Sequence, residues 1–205
     1  MTALSHLKGI IFDMDGTLVD SGLDFAAMRS EMGLRPGIPI LEQLAELSQA
    51  ERIAKEEILH RHEMDGAKRA SMIEGADRLL AALALEGRPM AIVTRSSTPV
   101  TQQTLKLLEI GHYFDIVICR EDGPHKPDPW AIQEICRRWQ FAVDEVVMVG
   151  DYELDILSAH HAGCPSVLFT EGKAPQSVAG HQLATHVATH FNELYHLLAP
   201  REDSI

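Results

Sequence analysis

The stretch KGIIFDMDGTLVD, residues 8–20, places an apolar run directly before two acidic residues, Asp13 and Asp15. Such a run predicts a parallel strand that is buried on both faces. Carboxylates this close together repel one another, and each costs free energy to desolvate unless a positive charge lies beside it. Because an extended chain directs both side chains to the same side, we expect the strand to end at a site that a cation completes.

Four similar apolar runs follow along the chain, and helical patterns separate them. The runs are PMAIVT (89–94), FDIVIC (114–119), EVVMVG (145–150) and PSVLFT (165–170). Strands that alternate with helices predict an α/β fold, a doubly wound parallel sheet with right-handed crossovers. With the strands numbered along the chain, we expect the Rossmann-like order 3-2-1-4-5, in which the first strand is central.

One section interrupts this alternation. From Ser21 to about Met72 the sequence shows helical segments around a Gly-Leu-Arg-Pro-Gly break and no strand pattern. These segments are polar and amphipathic, which is typical of helices with one buried face. We therefore predict a small inserted α-helical cap at residues 21–74 and a Rossmann-like core formed by residues 1–20 and 75–205.

Composition argues against several classes of partner. The chain has 205 residues and a formal net charge of −12, without a basic stripe that would bind nucleic acid. Its three cysteines lack CxxC spacing and are interpreted as reduced thiols. The sequence shows neither a signal-peptide pattern nor an apolar run of about 20 residues. We expect a cytoplasmic monomer or homodimer without nucleic-acid or membrane partners.

Polar residues follow each of the first four predicted strands. They are Asp13 and Asp15, then Thr94 and Arg95, then His125, Lys126 and Pro127, then Gly150 and Asp151, with Asp155 one helical turn later. Ligands of a doubly wound sheet bind beyond the carboxyl ends of the strands, where the strand order reverses. We therefore expect these groups to meet in one site.

The acidic residues indicate a metal site. The carboxylates of Asp13, Asp151 and Asp155 can approach one another only around a hard divalent cation with oxygen ligands, and Mg²⁺ fits this pattern. A metal-bound carboxylate beside a second carboxyl group, that of Asp15, suggests a nucleophile with an acid/base partner.

Three further residues suit the binding of a phosphoryl group. Lys126 offers a positive charge and Thr94 a hydroxyl donor for phosphoryl oxygens. Gly16 allows the backbone to turn tightly against a ligand.

In order and spacing, these motifs resemble the four motifs of the haloacid dehalogenase-like phosphatases. The matching segments are DMDGT (13–17), VTR (93–95), HKPDP (125–129) and GDYELD (150–155). The helical insert after the first motif resembles the C1 cap of this family, in particular that of its phosphoglycolate-phosphatase-like branch. The resemblance extends from about Lys8 to Leu198.

The resemblance implies a mechanism for each motif position. Asp13 would attack phosphorus and form an aspartyl-phosphate, while Asp15 would protonate the leaving oxygen and later deprotonate the attacking water. Mg²⁺ would be held by Asp13, Asp151 and the backbone carbonyl of Asp15, with Asp155 orienting this set of ligands. Positioning and electrostatics would supply most of the catalysis.

The remaining assignments concern the substrate. By resemblance, Thr94 and Lys126 would hold the phosphoryl oxygens. Arg95 follows Thr94 where many relatives carry Asn, so we expect it either to bind an extra anionic group of the substrate or to pair with acids of the cap. Arg35, in the break between cap helices, is a second candidate for substrate contact. The charged face of the long cap helix, including Glu63, is interpreted as solvent-exposed.

The expected function is Mg²⁺-dependent hydrolysis of a small phosphorylated metabolite, such as phosphoglycolate, a sugar phosphate or a nucleoside monophosphate. A phosphomutase of the β-phosphoglucomutase type would share all four motifs and differ in the group that accepts the phosphoryl. A haloacid dehalogenase needs neither the metal nor the second aspartate. A phospho-receiver without catalytic activity needs no cap.

Overall fold

A computed structural model describes residue 4 and residues 6–199 of the chain. Its strands are β1 (Gly9–Phe12), β2 (Val19–Asp20), β3 (Ser71–Met72), β4 (Met90–Val93), β5 (Ile116–Ile118), β6 (Val146–Gly150), β7 (Ser166–Phe169) and β8 (His186–Ala188). Its α-helices are α1 (Phe25–Glu31), α2 (Ile40–Ala45), α3 (Gln49–Arg69), α4 (Ala76–Leu85), α5 (Thr98–Leu107), α6 (Trp130–Trp139), α7 (Glu153–Ala162) and α8 (Phe191–Leu198).

Six of the strands form one parallel sheet in the order β5-β4-β1-β6-β7-β8. This arrangement confirms the predicted order 3-2-1-4-5 and adds β8 beyond the fifth predicted strand. β1 is central, and Phe12 at its end is in register with Ile92 of β4 and Val149 of β6. The carboxyl ends of β1, β4 and β6 therefore lie side by side.

Helices cover both faces of the sheet, as the apolar character of β1 predicts. Ile10 and Phe12 pack in a core cluster with leucines of α4 and α8, whereas Ile11 packs in a second cluster with residues of α6 and α7. All three side chains are fully buried. Burial of one such side chain contributes about 1.5–3 kcal/mol, so this strand is a principal source of the stability of the core.

Helices α1, α2 and α3 lie between β2 and β3, which pair as a short antiparallel ribbon. The three helices share their own apolar cluster, which contains Met28, Met32, Ile40, Leu44 and Leu59. α3 also packs against α5 of the core. We propose that these helices are the predicted cap, with bounds close to residues 21–74.

Not every charged side chain of the long cap helix α3 is exposed to solvent. Glu63 is only 6% exposed, and its carboxylate receives two hydrogen bonds from Arg120, at 2.9 and 3.2 Å. Buried carboxylates require such a partner. The interpretation of Glu63 as solvent-exposed was therefore wrong, because the helix rests on the core at this position.

In the described part of the chain, no helix combines the length and the apolar composition that a membrane crossing requires.

Candidate active site

A cavity of about 430 Å³ opens beyond the carboxyl ends of β1, β4 and β6, under helices α1 to α3. The predicted site residues that line it are Asp13, Asp15, Thr94, Arg95, Lys126, Asp151 and Asp155. Four separate segments of the sequence thus meet in one place, as the strand-end argument expects. Arg35 is not among the lining residues.

Lys126 joins the first and fourth motifs. Its ammonium group donates hydrogen bonds to Oδ1 of Asp13 at 2.5 Å, to Oδ1 of Asp155 at 2.6 Å and to the carbonyl oxygen of Val93 at 2.8 Å. The side chain is almost completely buried. All three ammonium protons therefore have acceptors, and the lysine is fixed beside Asp13.

The carboxylates outnumber the cation beside them. Oxygen atoms of Asp13, Asp151 and Asp155 all lie within 4.8 Å of one another. Burial raises the pKa of Asp13 well above its ordinary value, and Asp155 and Asp151 raise it further against the opposing effect of Lys126. Burial and the neighbouring Asp155 raise the pKa of Asp151 to about 7. Burial by itself lowers the pKa of Lys126, but Asp13 and Asp155 outweigh it and the net shift is upward.

This donor set fits a hard divalent cation such as Mg²⁺, which prefers a few carboxylate oxygens together with water. Burial and mutual repulsion raise the pKa values of Asp13 and Asp151, and a bound cation would offset both effects. Asp155 uses both oxygens, since Oδ1 accepts from Lys126 and Oδ2 accepts from the backbone N–H of Tyr152 at 3.0 Å. An orienting role for Asp155 agrees with these contacts.

Asp15 lies outside this carboxylate cluster and has different partners. Ser96 donates a hydrogen bond from its hydroxyl to Oδ2 of Asp15 at 3.0 Å. Burial raises the pKa of Asp15, although hydrogen bonds from Ser21 and Ser96 partly oppose this effect. A raised pKa favours the protonated form, which a general acid needs. Sequence reasoning missed both serines, because neither belongs to a strand-end motif.

Thr94 and Arg95 diverge at the end of β4. Thr94 is buried, and its hydroxyl oxygen accepts the backbone N–H of Ser96 at 3.1 Å, which leaves the hydroxyl proton to donate. Arg95 turns to the cap, where its Nη2 donates to both carboxylate oxygens of Glu42 at 2.7 Å. Of the two predicted roles for Arg95, pairing with a cap acid is thus present in the structure.

The cap arginine that lines the cavity is not the one that the sequence predicted. Arg35 is exposed and pairs with Glu46, away from the cavity. Arg29, which sequence reasoning did not select, lines the cavity instead. Helical spacing was the signal that could have identified Arg29. It lies one turn after Phe25, so a helix at these residues places both side chains on the same face, and both line the cavity.

Because Gly16 has no side chain, the carboxylate of Asp151 can lie directly against its backbone. Its φ is +89°, and a Cβ atom at this position would lie 2.4 Å from Oδ2 of Asp151. The sequence predicted that the backbone at Gly16 turns tightly against a ligand, whereas the close neighbour in the structure is Asp151. Only glycine combines this backbone conformation with this contact.

If Asp151 holds Mg²⁺ as expected, the ion should raise the melting temperature of the wild type. Gly16→Ala is then expected to displace Asp151 and to remove most of this increase. Gly87→Ala is the matched control, because Gly87 also has a positive φ, +67°, but no atom within 4 Å of its would-be Cβ. Both variants should lose about 1–2 kcal/mol from backbone strain alone. Thermal unfolding with and without Mg²⁺ measures the difference, and an unchanged Mg²⁺ response in Gly16→Ala would contradict the expected displacement.

Comparison with known proteins identifies the family. A family model described as haloacid dehalogenase-like hydrolase matches residues 26–169. A phosphoglycolate phosphatase from Cereibacter sphaeroides is 32% identical over 94% of this chain and 98% of its own length.

Solved structures show the same fold. A haloacid dehalogenase-like hydrolase from Streptococcus pneumoniae is 25% identical with a TM-score of 0.73, covering 92% of this chain and 97% of that one. A hydrolase from Pseudomonas syringae, at 20% identity, has a TM-score of 0.77 and covers 94% of this chain and 100% of that one. The chain therefore belongs to the haloacid dehalogenase-like hydrolases, and within that family it is a phosphatase-type enzyme similar to the phosphoglycolate phosphatases.

Proposed function

We propose that this enzyme is a Mg²⁺-dependent phosphatase that hydrolyses a small phosphomonoester through an aspartyl-phosphate on Asp13. The observation that carries the proposal is the position of Asp13, which lines the cavity, accepts a hydrogen bond from Lys126 and lies within 4.8 Å of carboxylate oxygens of Asp151 and Asp155. Only a carboxylate held in its ionised form can act as the nucleophile. Lys126 favours that form by binding Oδ1.

In the first half of the proposed reaction, Oδ2 of Asp13 attacks phosphorus, because Oδ1 is engaged by Lys126. The P–O bond to the alcohol breaks, and protonated Asp15 gives its proton to the departing oxygen. Thr94 donates its hydroxyl proton to a phosphoryl oxygen at the end of β4. Lys126 keeps its hydrogen bonds to Asp13, Asp155 and Val93 and places its positive charge beside the phosphoryl group. In the second half, Asp15 accepts a proton from water, which attacks phosphorus and releases inorganic phosphate and free Asp13.

Asp13, Asp151 and the backbone carbonyl of Asp15 would hold Mg²⁺, with Asp155 as their positioning residue. When bound, the ion neutralises negative charge on the phosphoryl oxygens and on the carboxylate cluster.

The size of the cavity limits the substrate. A volume of about 430 Å³ between core and cap accommodates a small phosphorylated metabolite and excludes a phosphoprotein side chain still attached to a folded partner. Phosphoglycolate, a sugar phosphate and a nucleoside monophosphate remain the candidate classes. The cytoplasmic location is likewise proposed, from the sequence pattern alone.

Two other reactions are less well supported. A dehalogenase has no use for the acidic cluster or for Asp15 with its raised pKa. A phosphomutase would use the same groups but pass the phosphoryl to a sugar hydroxyl instead of water. The release of inorganic phosphate therefore separates a phosphatase from a mutase.

The test is release of inorganic phosphate from a panel of phosphomonoesters, with Mg²⁺ and then with excess EDTA. We expect turnover of at least one small metabolite and of p-nitrophenyl phosphate, loss of both with EDTA, and recovery on addition of Mg²⁺. Phosphorus NMR of the products distinguishes hydrolysis from phosphoryl transfer within the substrate. Undiminished turnover in EDTA, or isomerised sugar phosphate as the product, would overturn the proposal.

A further inference from the structure

The active-site cavity contains one cation that no described residue neutralises. The four basic residues that line the cavity are Arg29, Arg95, Arg120 and Lys126. Glu42 pairs with Arg95, Glu63 pairs with Arg120, and Asp13 and Asp155 pair with Lys126. Within residues 6–199, the side chain of Arg29 makes neither a hydrogen bond nor an ion pair.

The fold places Arg29 on the cap wall of the cavity. Asp24 begins helix α1 by accepting the backbone N–H groups of Ala26 and Ala27 at 3.0 and 2.9 Å. Met28 and Met32, one turn apart, anchor the helix in the apolar cluster of the cap, and Arg29 lies beside this buried stripe. Arg29 is consequently held half-buried at the cavity, where loss of hydration costs free energy that no acceptor among the described residues offsets.

A second donor in the same cavity also lacks an acceptor. Arg95 gives Nη2 to Glu42, but its Nη1 is buried and has no hydrogen-bond partner in the described part of the chain. Buried donors are almost always satisfied, so an orphan at a cavity wall indicates an acceptor supplied by a ligand. This observation is independent of Arg29.

We propose that Arg29, assisted by Nη1 of Arg95, binds a second anionic group on the alcohol part of the substrate. This inference rests on the proposed phosphatase function and narrows its substrate class to phosphomonoesters that carry a further carboxylate or phosphate. The surrounding cap wall is apolar, with Leu23, Phe25 and Ile40, so a charge-assisted hydrogen bond there is stronger than one in water. A guanidinium group matches either anion through its paired N–H donors.

The test compares substrates that differ only in this group. Phosphoglycolate carries a carboxylate, ethylene glycol bisphosphate a second phosphate, and 2-hydroxyethyl phosphate a neutral hydroxyl. For Arg29→Met we expect kcat/KM to fall about 10- to 100-fold for an anionic substrate, mainly through KM, and less than about threefold for the neutral one. The anionic substrate whose kcat/KM falls more in Arg29→Met identifies the group, carboxylate or phosphate, that Arg29 binds.

Two further variants serve as controls. Arg35→Met removes the exposed cap arginine and should leave all three substrates unchanged. Arg29→Lys retains the charge and should recover part of the loss for the anionic substrates. Equal losses on charged and neutral substrates in Arg29→Met would show that Arg29 is structural and would overturn the inference.

The outcome can be separated from that of the proposed function. If the wild-type enzyme hydrolyses 2-hydroxyethyl phosphate but does not prefer either anionic substrate, the phosphatase proposal stands and the inference about Arg29 fails. Calorimetric binding of phosphoglycolate to the Asp13→Asn variant provides a measurement without turnover. There, addition of Arg29→Met should weaken binding of phosphoglycolate, and unchanged affinity for both anionic compounds would contradict the inference.

Discussion

Replacement of Asp13 by Asn is expected to lower the rate of phosphate release by about 10⁴-fold or more, because no other carboxylate can take its place in the attack on phosphorus. Asp151 lies close to Asp13 but accepts a hydrogen bond from Thr17. Asp155 is also close, but its two oxygens accept hydrogen bonds from Lys126 and from the backbone N–H of Tyr152. The measurement is steady-state release of phosphate from p-nitrophenyl phosphate at saturating Mg²⁺.

The fold should survive this change. An asparagine retains the shape of the Asp13 side chain, and Lys126 keeps Asp155 and the Val93 carbonyl as acceptors. Loss of one carboxylate also reduces repulsion with Asp151, whose pKa is raised. We expect a melting temperature close to that of the wild type or above it when no metal is added.

Asp144→Asn is a matched control for the same chemical change. Asp144 is exposed in a short 3₁₀ turn before β6 and does not line the cavity. Its variant should keep full activity. Retention of more than about a tenth of the activity by Asp13→Asn would show that Asp13 is not the nucleophile, since loss of a nucleophile leaves far less of the rate.

The central sheet could be predicted because its signals are local. Each of the strands β1, β4, β5, β6 and β7 is an apolar run, and the polar residues that end these runs meet at one edge because parallel strands share a direction. β8, with the sequence HVA, is too short and too polar to predict as part of the strand order. Backbone pairing with β7, and not its composition, makes it a strand.

The cap side of the site could not be predicted, because it depends on how two parts of the chain meet. Glu63 and Arg120 are 57 residues apart, and Arg95 and Glu42 are 53 residues apart. No periodicity links such partners. Sequence reasoning therefore placed Glu63 in solvent and selected Arg35 over Arg29, since the sequence shows which residues are charged but not which helix face rests on the core.

Lys126→Met is expected to lower the free energy of unfolding of the metal-free protein by about 3 kcal/mol or more at pH 8. Methionine keeps much of the volume of the side chain but removes the only ammonium group bonded to Asp13 and Asp155 within the described residues. An ionised carboxylate that is buried without a neighbouring cation lowers the stability of the folded state. Urea unfolding followed by circular dichroism measures the change.

The pH dependence of this loss tests its electrostatic origin. Burial already raises the pKa of Asp13 in the presence of Lys126, and loss of the lysine should raise it further. A carboxyl group with a raised pKa binds more protons in the folded state than in the unfolded state, so it stabilises the fold as the pH falls. The difference between Lys126→Met and wild type should therefore shrink from pH 8 to pH 5.

Mg²⁺ should restore part of the stability that Lys126→Met loses, because the ion supplies positive charge to the same carboxylates. Activity should not return, because in the proposed reaction Lys126 also holds Asp13 through Oδ1 and places its charge beside the phosphoryl group. Lys173→Met, at an exposed position, is the control and should match the wild type in both measurements. A loss of stability in Lys126→Met that is equal at pH 5 and pH 8 and insensitive to Mg²⁺ would mean that Lys126 acts through packing, and that charge is not what holds this cluster together.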